Sequence, residues 1–149
     1  MNTKYTIFSH YTQLCNNKVA LLQQTLADLK ESGANETKST AGDKHETALA
    51  MLQIEQANKR TQLQEALTQK AALEKLENIT NTTCIVNGSL VKTDKGYFYI
   101  SVALGKAVVN DIAVIAISLA SPLGTKLMGL RVQDIAKIND ITYLVEEII

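Results

Sequence analysis

Residues 8–29 read FSHYTQLCNNKVALLQQTLADL, and Phe8, Thr12, Cys15, Val19, Leu22, Leu26 and Leu29 recur at alternating spacings of four and three. On a helix of 3.6 residues per turn these positions share one side, the seam of a helix that packs on another helix. Leu14 and Leu21 are expected to widen that stripe. The pattern breaks at Ser32-Gly33-Ala34-Asn35, and because Gly is a usual helix terminator a turn is predicted there, with small polar residues continuing to Gly42. Periodicity resumes from Asp43 to about Ile79. Leu49, Leu52, Leu63, Ala66 and Leu73 lie on this second seam and Leu67 and Leu76 beside it, while Gln56, Lys59 and Lys70 interrupt it. Between Phe8 and Leu76 there is no Pro, and Gln, Ala, Leu, Glu and Lys dominate, all strong helix formers. Two such helices joined by a short polar link fold back antiparallel. The second, if continuous, would extend roughly 45–55 Å, so the hairpin is expected to project.

The vocabulary changes at Asn78-Ile79-Thr80-Asn81-Thr82-Thr83, a run poor in helix formers that reads as a linker. Beyond it, Ser89 to Thr93 and Tyr97 to Val102 flank Asp94-Lys95-Gly96, and Lys106 to Val109 and Ile112 to Ile117 flank Asn110-Asp111, two hairpin signals. Ser121-Pro122 opens a short helix, with Ser as N-cap and Pro at the first helical position, that ends at Gly129. Asn139-Asp140 separates the strands Ile135 to Ile138 and Ile141 to Ile149. The fold class is therefore α+β: a long antiparallel helical hairpin over residues 1–79, then a small, mostly antiparallel β domain with one short helix over residues 84–149. Tyr97, Phe98 and Tyr99 lack the neighbouring basic residues of an RNA-stacking platform and are expected to fill one side of the sheet.

Lys plus Arg and Asp plus Glu each number 15, divided nine and nine before residue 80 and six and six after it. The chain thus has no global attraction to nucleic acid or acidic lipid, and any such attraction must be local. Met1 to His10 has no continuous apolar stretch or small-residue cleavage site, which argues against a secretory signal, and no segment reaches the roughly 20 apolar residues needed to span a bilayer. Cys15 and Cys84 lie far apart without CxxC spacing, so they read as packing residues in a reducing compartment, the cytoplasm. The four N-x-S/T sequons, at Asn35, Asn78, Asn81 and Asn87, have no meaning without secretion.

Chemistry is concentrated at Gly42-Asp43-Lys44-His45-Glu46-Thr47, where two carboxylates three residues apart share a face at the start of a helix. Asp followed three positions later by Glu is a capping-box arrangement, which the spacing alone favours over a metal-binding pair; as a magnesium site two carboxylates are incomplete, since Mg²⁺ takes six oxygens and shares its shell with water, phosphates and other ligands. His45 has no second ligand in the sequence and is given no role. No Gly-rich phosphate loop, Ser-His-Asp order or Cys-His pairing is present, so an independent enzyme is not expected.

Together, the helical hairpin, the tip Gly42-Asp43-Lys44-His45-Glu46 and the segment Ser121-Pro122-Leu123-Gly124-Thr125-Lys126-Leu127-Met128-Gly129 resemble the bacterial Gre-type transcript cleavage factors over nearly the whole chain. The ending is similar too: a charged turn, Val132-Gln133-Asp134, then a closing strand, Ile141 to Val145. The resemblance implies an FKBP-like C-terminal domain docking at the rim of the RNA polymerase secondary channel, with Ser121, Pro122, Leu123, Gly124, Leu127 and Gly129 as the docking segment. It implies that Asp43 and Glu46 enter the channel and help hold the second catalytic Mg²⁺ jointly with the polymerase, no metal being bound independently. The water so activated cleaves backtracked RNA, in a two-metal pattern. Lys44, Lys59 and Arg60 are the residues available to contact nascent RNA, and the chain would assist the polymerase without being an enzyme itself.

The family's tip continues with Asn-Ala and then an aromatic residue, whereas this chain has Thr47-Ala48-Leu49-Ala50. That difference motivates a second expectation, a secondary-channel regulator or inhibitor without cleavage activity. The polar breaks at Gln56, Lys59 and Lys70 motivate a third, a coiled-coil interaction or scaffold module whose seam pairs with another chain. Prolyl isomerisation, by analogy with the FKBP-like fold, is the fourth, and fold alone does not fix activity.

Overall fold

Helix α1 spans Thr3–Glu36 and α2 spans Asp43–Glu74 in the computed structural model, which describes residues 3–36, 43–79 and 82–149, without the side chains of residues 35, 36 and 43–45. On α1 the 4-3 spacing is the buried side: Phe8, Cys15, Val19 and Leu22 are buried, and Thr12, Leu26 and Leu29 are half-buried. Val19 and Leu22 pack on Ala66, with Leu63 beside them. Further along α1, Gly33 lies beside Gln56, earlier in α2, so the two helices run antiparallel.

Three expectations for the helices need correction. The first helix does not stop at Ser32-Gly33-Ala34-Asn35 but continues through Gly33 to Glu36. One Gly costs a helix interior only about 1 kcal/mol, too little to end a helix held by seam packing. Leu14 and Leu21 do not widen the buried stripe, being 42% and 67% exposed. Nor do Gln56, Lys59 and Lys70 leave the α2 seam, since all three are half-buried. Positions 49, 52, 56, 59, 63, 66, 70 and 73 alternate spacings of three and four without a gap. A lysine stem of four methylenes can cover apolar surface, which makes the residue type compatible with a seam position.

The chain divides into two compact units, Gln13–Lys70 and, discontinuously, Met1–Thr12 with Ala71–Ile149. The second unit holds six strands, β1 Leu90–Thr93, β2 Gly96–Ser101, β3 Gly105–Val109, β4 Ile112–Ser118, β5 Ile135–Ile138 and β6 Ile141–Ile148, with α3 (Pro122–Leu127) between β4 and β5. They form one sheet in the order β3-β4-β2-β1-β6-β5. The predicted turns join them. Asn110 and Asp111 both take positive φ, 52° and 66°, as a tight β3–β4 hairpin requires, and Asn139 does so at 53° before β6.

The sheet is mostly antiparallel, as expected, with one parallel pair, β2 and β4, which sets Phe98 opposite Ile115 and Ile100 opposite Ile117. After β2 the chain reverses into β3 without pairing to β2. The β3–β4 hairpin then lays β4 into the gap, in the same direction as β2. The three aromatics of β2 do not fill one side. Phe98 and Ile100 join Ile85, Val91, Leu127, Ala136, Val145 and Ile148 in a core on the α3 side. Tyr99 points to the opposite face, where the Tyr11 ring stacks on it at 6.3 Å. There Tyr11 Oη donates to the Gly105 carbonyl at 2.7 Å, and Lys4 Nζ donates to the Ile79 carbonyl at 2.8 Å. Burial lowers the Lys4 ammonium's pKa and raises that of the Tyr11 phenol. Among the described residues no helix is long and apolar enough to cross a membrane.

Candidate functional site

The segment Ser121-Pro122-Leu123-Gly124-Thr125-Lys126-Leu127-Met128-Gly129 is held by a dense set of local bonds. Ser121 caps α3 with extended backbone (φ −67°, ψ 159°): its Oγ accepts from Gly124 N at 3.0 Å and donates to the Ser118 carbonyl at 2.7 Å. Pro122, at the first helical position, gives up no needed donor. Gly124 is required by space, because a Cβ there would stand 2.1 Å from the Ser118 carbonyl oxygen. Leu127 is fully buried in the core with Leu123 against it. Gly129 follows in the left-handed region (φ 82°), and its N–H donates to the Ile85 carbonyl at 2.8 Å. That tie continues as Ile85 N donates to the Leu130 carbonyl at 2.8 Å.

Of the six residues expected to dock, Gly124 and Leu127 are buried, Ser121 and Leu123 half-buried, and Pro122 and Gly129 exposed. Gly124 and Leu127 therefore shape this surface from beneath. The exposed neighbours are Leu119, Thr125 and Lys126, and Thr125 Oγ1 donates to the Leu119 carbonyl at 3.2 Å. Sequence reading passed over these three because the motif is defined by its structural residues, and nothing in their types distinguishes them.

The tip is described less fully. The backbone of α2 opens at Asp43, whose side chain, with those of Lys44 and His45, lies outside the described residues, as does Gly42. Glu46 is described and exposed, one turn into the helix. Among the described residues no group of three or more His, Cys, Asp or Glu side chains is gathered as a metal site. Mg²⁺ takes six oxygens, of which one or two carboxylates supply only a part, the rest coming from water, phosphates or other ligands.

Of the residues expected to meet RNA, Lys59 is half-buried on the seam and Arg60 exposed. Arg60 lines a cleft with Leu26, Ala27, Lys30 and Gln56, and its guanidinium donates to Gln56 Oε1 at 3.5 Å. Lys30, from the other helix, adds a second basic residue to this cleft, because the antiparallel pairing brings the late turns of α1 to these turns of α2.

No protein-family model and no curated protein matches the chain. A solved structure does: the crystal structure of GreA factor homolog 1 (Gfh1) of Thermus thermophilus, at 20% identity, covers 87% of this chain and 93% of that chain with a TM-score of 0.32.

Proposed function

We propose that the chain is a bacterial Gre-type factor that binds RNA polymerase in the cytoplasm and presents Asp43 and Glu46 in the secondary channel, promoting cleavage of backtracked RNA. One observation carries the reading. A single chain joins an antiparallel two-helix unit, whose second helix opens at Asp43 with Glu46 exposed in its first turn, to a sheet unit bearing a Ser121-capped S-P-x-x-x-x-L-x-G segment. In this reading the two carboxylates hold Mg²⁺ jointly with the polymerase, and the bound ion supplies an activated, oriented water. Lys44, Lys59 and Arg60 approach the nascent RNA, and the exposed surface around Pro122 meets the polymerase.

A second reading is favoured by the residues after the pair. Thr47-Ala48-Leu49-Ala50 contains no aromatic, and Leu49 is half-buried on the α2 seam, unavailable to a partner at the tip. The protein would then occupy the channel as a regulator or inhibitor without stimulating cleavage. Capture of core polymerase by the tagged chain, followed by RNA cleavage in stalled complexes, separates the two. The Gre-type reading expects capture, with a cleavage rate that falls at least tenfold in Asp43→Ala plus Glu46→Ala, on the order of 1.4 kcal/mol or more of barrier. Equal rates with retained capture select the regulator, and no capture removes both.

A further inference from the structure

Asn87-Gly88 is the one Asn-Gly pair in the sequence. In such a pair the glycine nitrogen attacks the asparagine carboxamide with little hindrance, because glycine has no side chain to crowd the ring that forms. The structure holds the pair in a tight turn from Val86 to Ser89. Ser89 N donates to the Val86 carbonyl at 3.0 Å, Val86 N donates to Ser89 Oγ at 3.0 Å, and Gly88 takes φ 98°. Among the described residues other than glycine, positive φ is confined to Asn110, Asp111, Gln133 and Asn139. Asn87 is therefore at negative φ before a positive-φ Gly88, and the turn is type II.

Three features of this turn keep the two groups apart. A type II turn sets ψ of its second residue at roughly +120°, which rotates the following nitrogen away from the side chain it would have to reach. Gly88 N is also engaged, donating to the Ile100 carbonyl at 2.6 Å while Ile100 N donates to the Ser89 carbonyl at 2.9 Å. Those bonds stitch the turn to β2, and Ile100 is fully buried in the core. Gly88 itself is buried, and Ile79 lies so close that a Cβ at position 88 would stand 2.8 Å from Ile79 Cγ1. Gly88 N is freed to attack only when this part of the sheet opens.

We propose that Asn87 is a deamidation site gated by the sheet, shielded while the turn is closed and consumed when it opens. On opening, the Gly88 nitrogen bonds to Asn87 Cγ, and the carboxamide nitrogen leaves as ammonia, taking the Gly88 N–H proton with it. Water then opens the cyclic imide at either carbonyl and leaves an aspartate or an isoaspartate at position 87. In sum, one water enters and one ammonia leaves. Neither product suits the closed turn. Asn87 Oδ1 is buried with no hydrogen-bond partner among the described residues, so a carboxylate there is a buried charge without a donor. Isoaspartate adds a methylene to the main chain and displaces Gly88 N from the Ile100 carbonyl. A transient opening thereby becomes a permanent one.

Peptide mass spectrometry of the full chain, aged at mildly alkaline pH with and without urea, tests the proposal. A synthetic peptide of residues 84–92 gives the unshielded rate. The folded chain is expected to deamidate at Asn87 at least about 100-fold more slowly than the peptide, and urea below the unfolding midpoint should raise the rate in proportion to the open fraction. After ageing in urea the chain should fail to regain its near-ultraviolet signal on dilution, while a chain held in urea only briefly regains it. The part of the aged sample that does refold should retain asparagine at position 87. Asn87→Ser, aged in the same way, is expected to refold, since Asn87 Oδ1 has no bond to lose. The proposal is overturned by a folded chain that deamidates at the peptide's rate, by modified chains in the refolded fraction, or by an aged Asn87→Ser that loses refolding as fully as the wild type.

Discussion

Tyr11 and Tyr99 stack on each other on one face of the sheet, yet their hydroxyls have opposite standing. Tyr11 Oη donates to the Gly105 carbonyl, with the Val114 carbonyl at 3.3 Å as a second acceptor. Tyr99 Oη is buried with no partner among the described residues. A buried polar atom without a partner forfeits its hydration, so Tyr99→Phe is expected to leave stability unchanged or raise it by up to about 1 kcal/mol, while Tyr11→Phe lowers it by about 1 kcal/mol and leaves two carbonyls under-satisfied. Urea unfolding of the two variants reads the difference. Burial also pushes the Tyr99 phenol up to about 12. A raised folded-state pKa means the neutral form is held by the fold. The stability it represents is complete below the unfolded phenol value near 10 and is lost as pH rises from there through about 12. Tyr99→Phe should therefore flatten the alkaline part of the stability profile. None of this was legible in the sequence, which reveals two tyrosines but not that only one finds an acceptor across the sheet.

The helices show what periodicity can and cannot convey. Every position named on the α1 seam is buried or half-buried, because spacing alone fixes which residues share a side. Composition misled in both directions. Leu14 and Leu21 are apolar but off the seam, and Gln56, Lys59 and Lys70 are polar but on it, so position overrode residue type. Gly33 belongs to the same lesson. It was expected to end the helix, but it lies inside α1, where an added Cβ would meet only Gln56 Nε2 at 3.9 Å, ordinary contact. Gly33→Ala is therefore expected to stabilise the protein by about 0.5–1 kcal/mol, through the reduced backbone freedom of the unfolded chain, and thermal unfolding would register the gain. The strands were read to within a residue or so of their ends, since Asn110-Asp111 and Asn139-Asp140 mark turns chemically. The parallel β2–β4 pair was not legible, because strand order depends on which edges meet and local patterning does not record it.

At the scale of the molecule, the discontinuous unit gives the first turns of α1 two tasks. Residues up to Thr12 belong with the sheet, and the same helix continues to Glu36 as half of the two-helix unit. Ile7 and Tyr11 are fully buried, so deleting residues 1–12 removes apolar cover that the sheet cannot replace. The shortened chain should lose the near-ultraviolet signal of Tyr99 and the slow amide exchange of β2 and β4. A truncation that left both intact would show that the sheet stands without α1. The candidate site divides along the same lines of legibility. The Ser121–Gly129 segment was readable because capping and glycine geometry leave strong marks. The surface it supports was not, since exposed residues such as Thr125 and Lys126 carry no such mark.

The separation of Tyr11 from its acceptors also orders events on the ribosome. Gly105 and Val114 are 94 and 103 residues further along the chain. At bacterial-to-slow translation rates of 5–20 residues per second, the amino-terminal turn emerges roughly 5–20 s before the strands that will receive it. During that interval the side of the turn that will carry this bond has no strand to meet, and it closes only after β3 and β4 have been made.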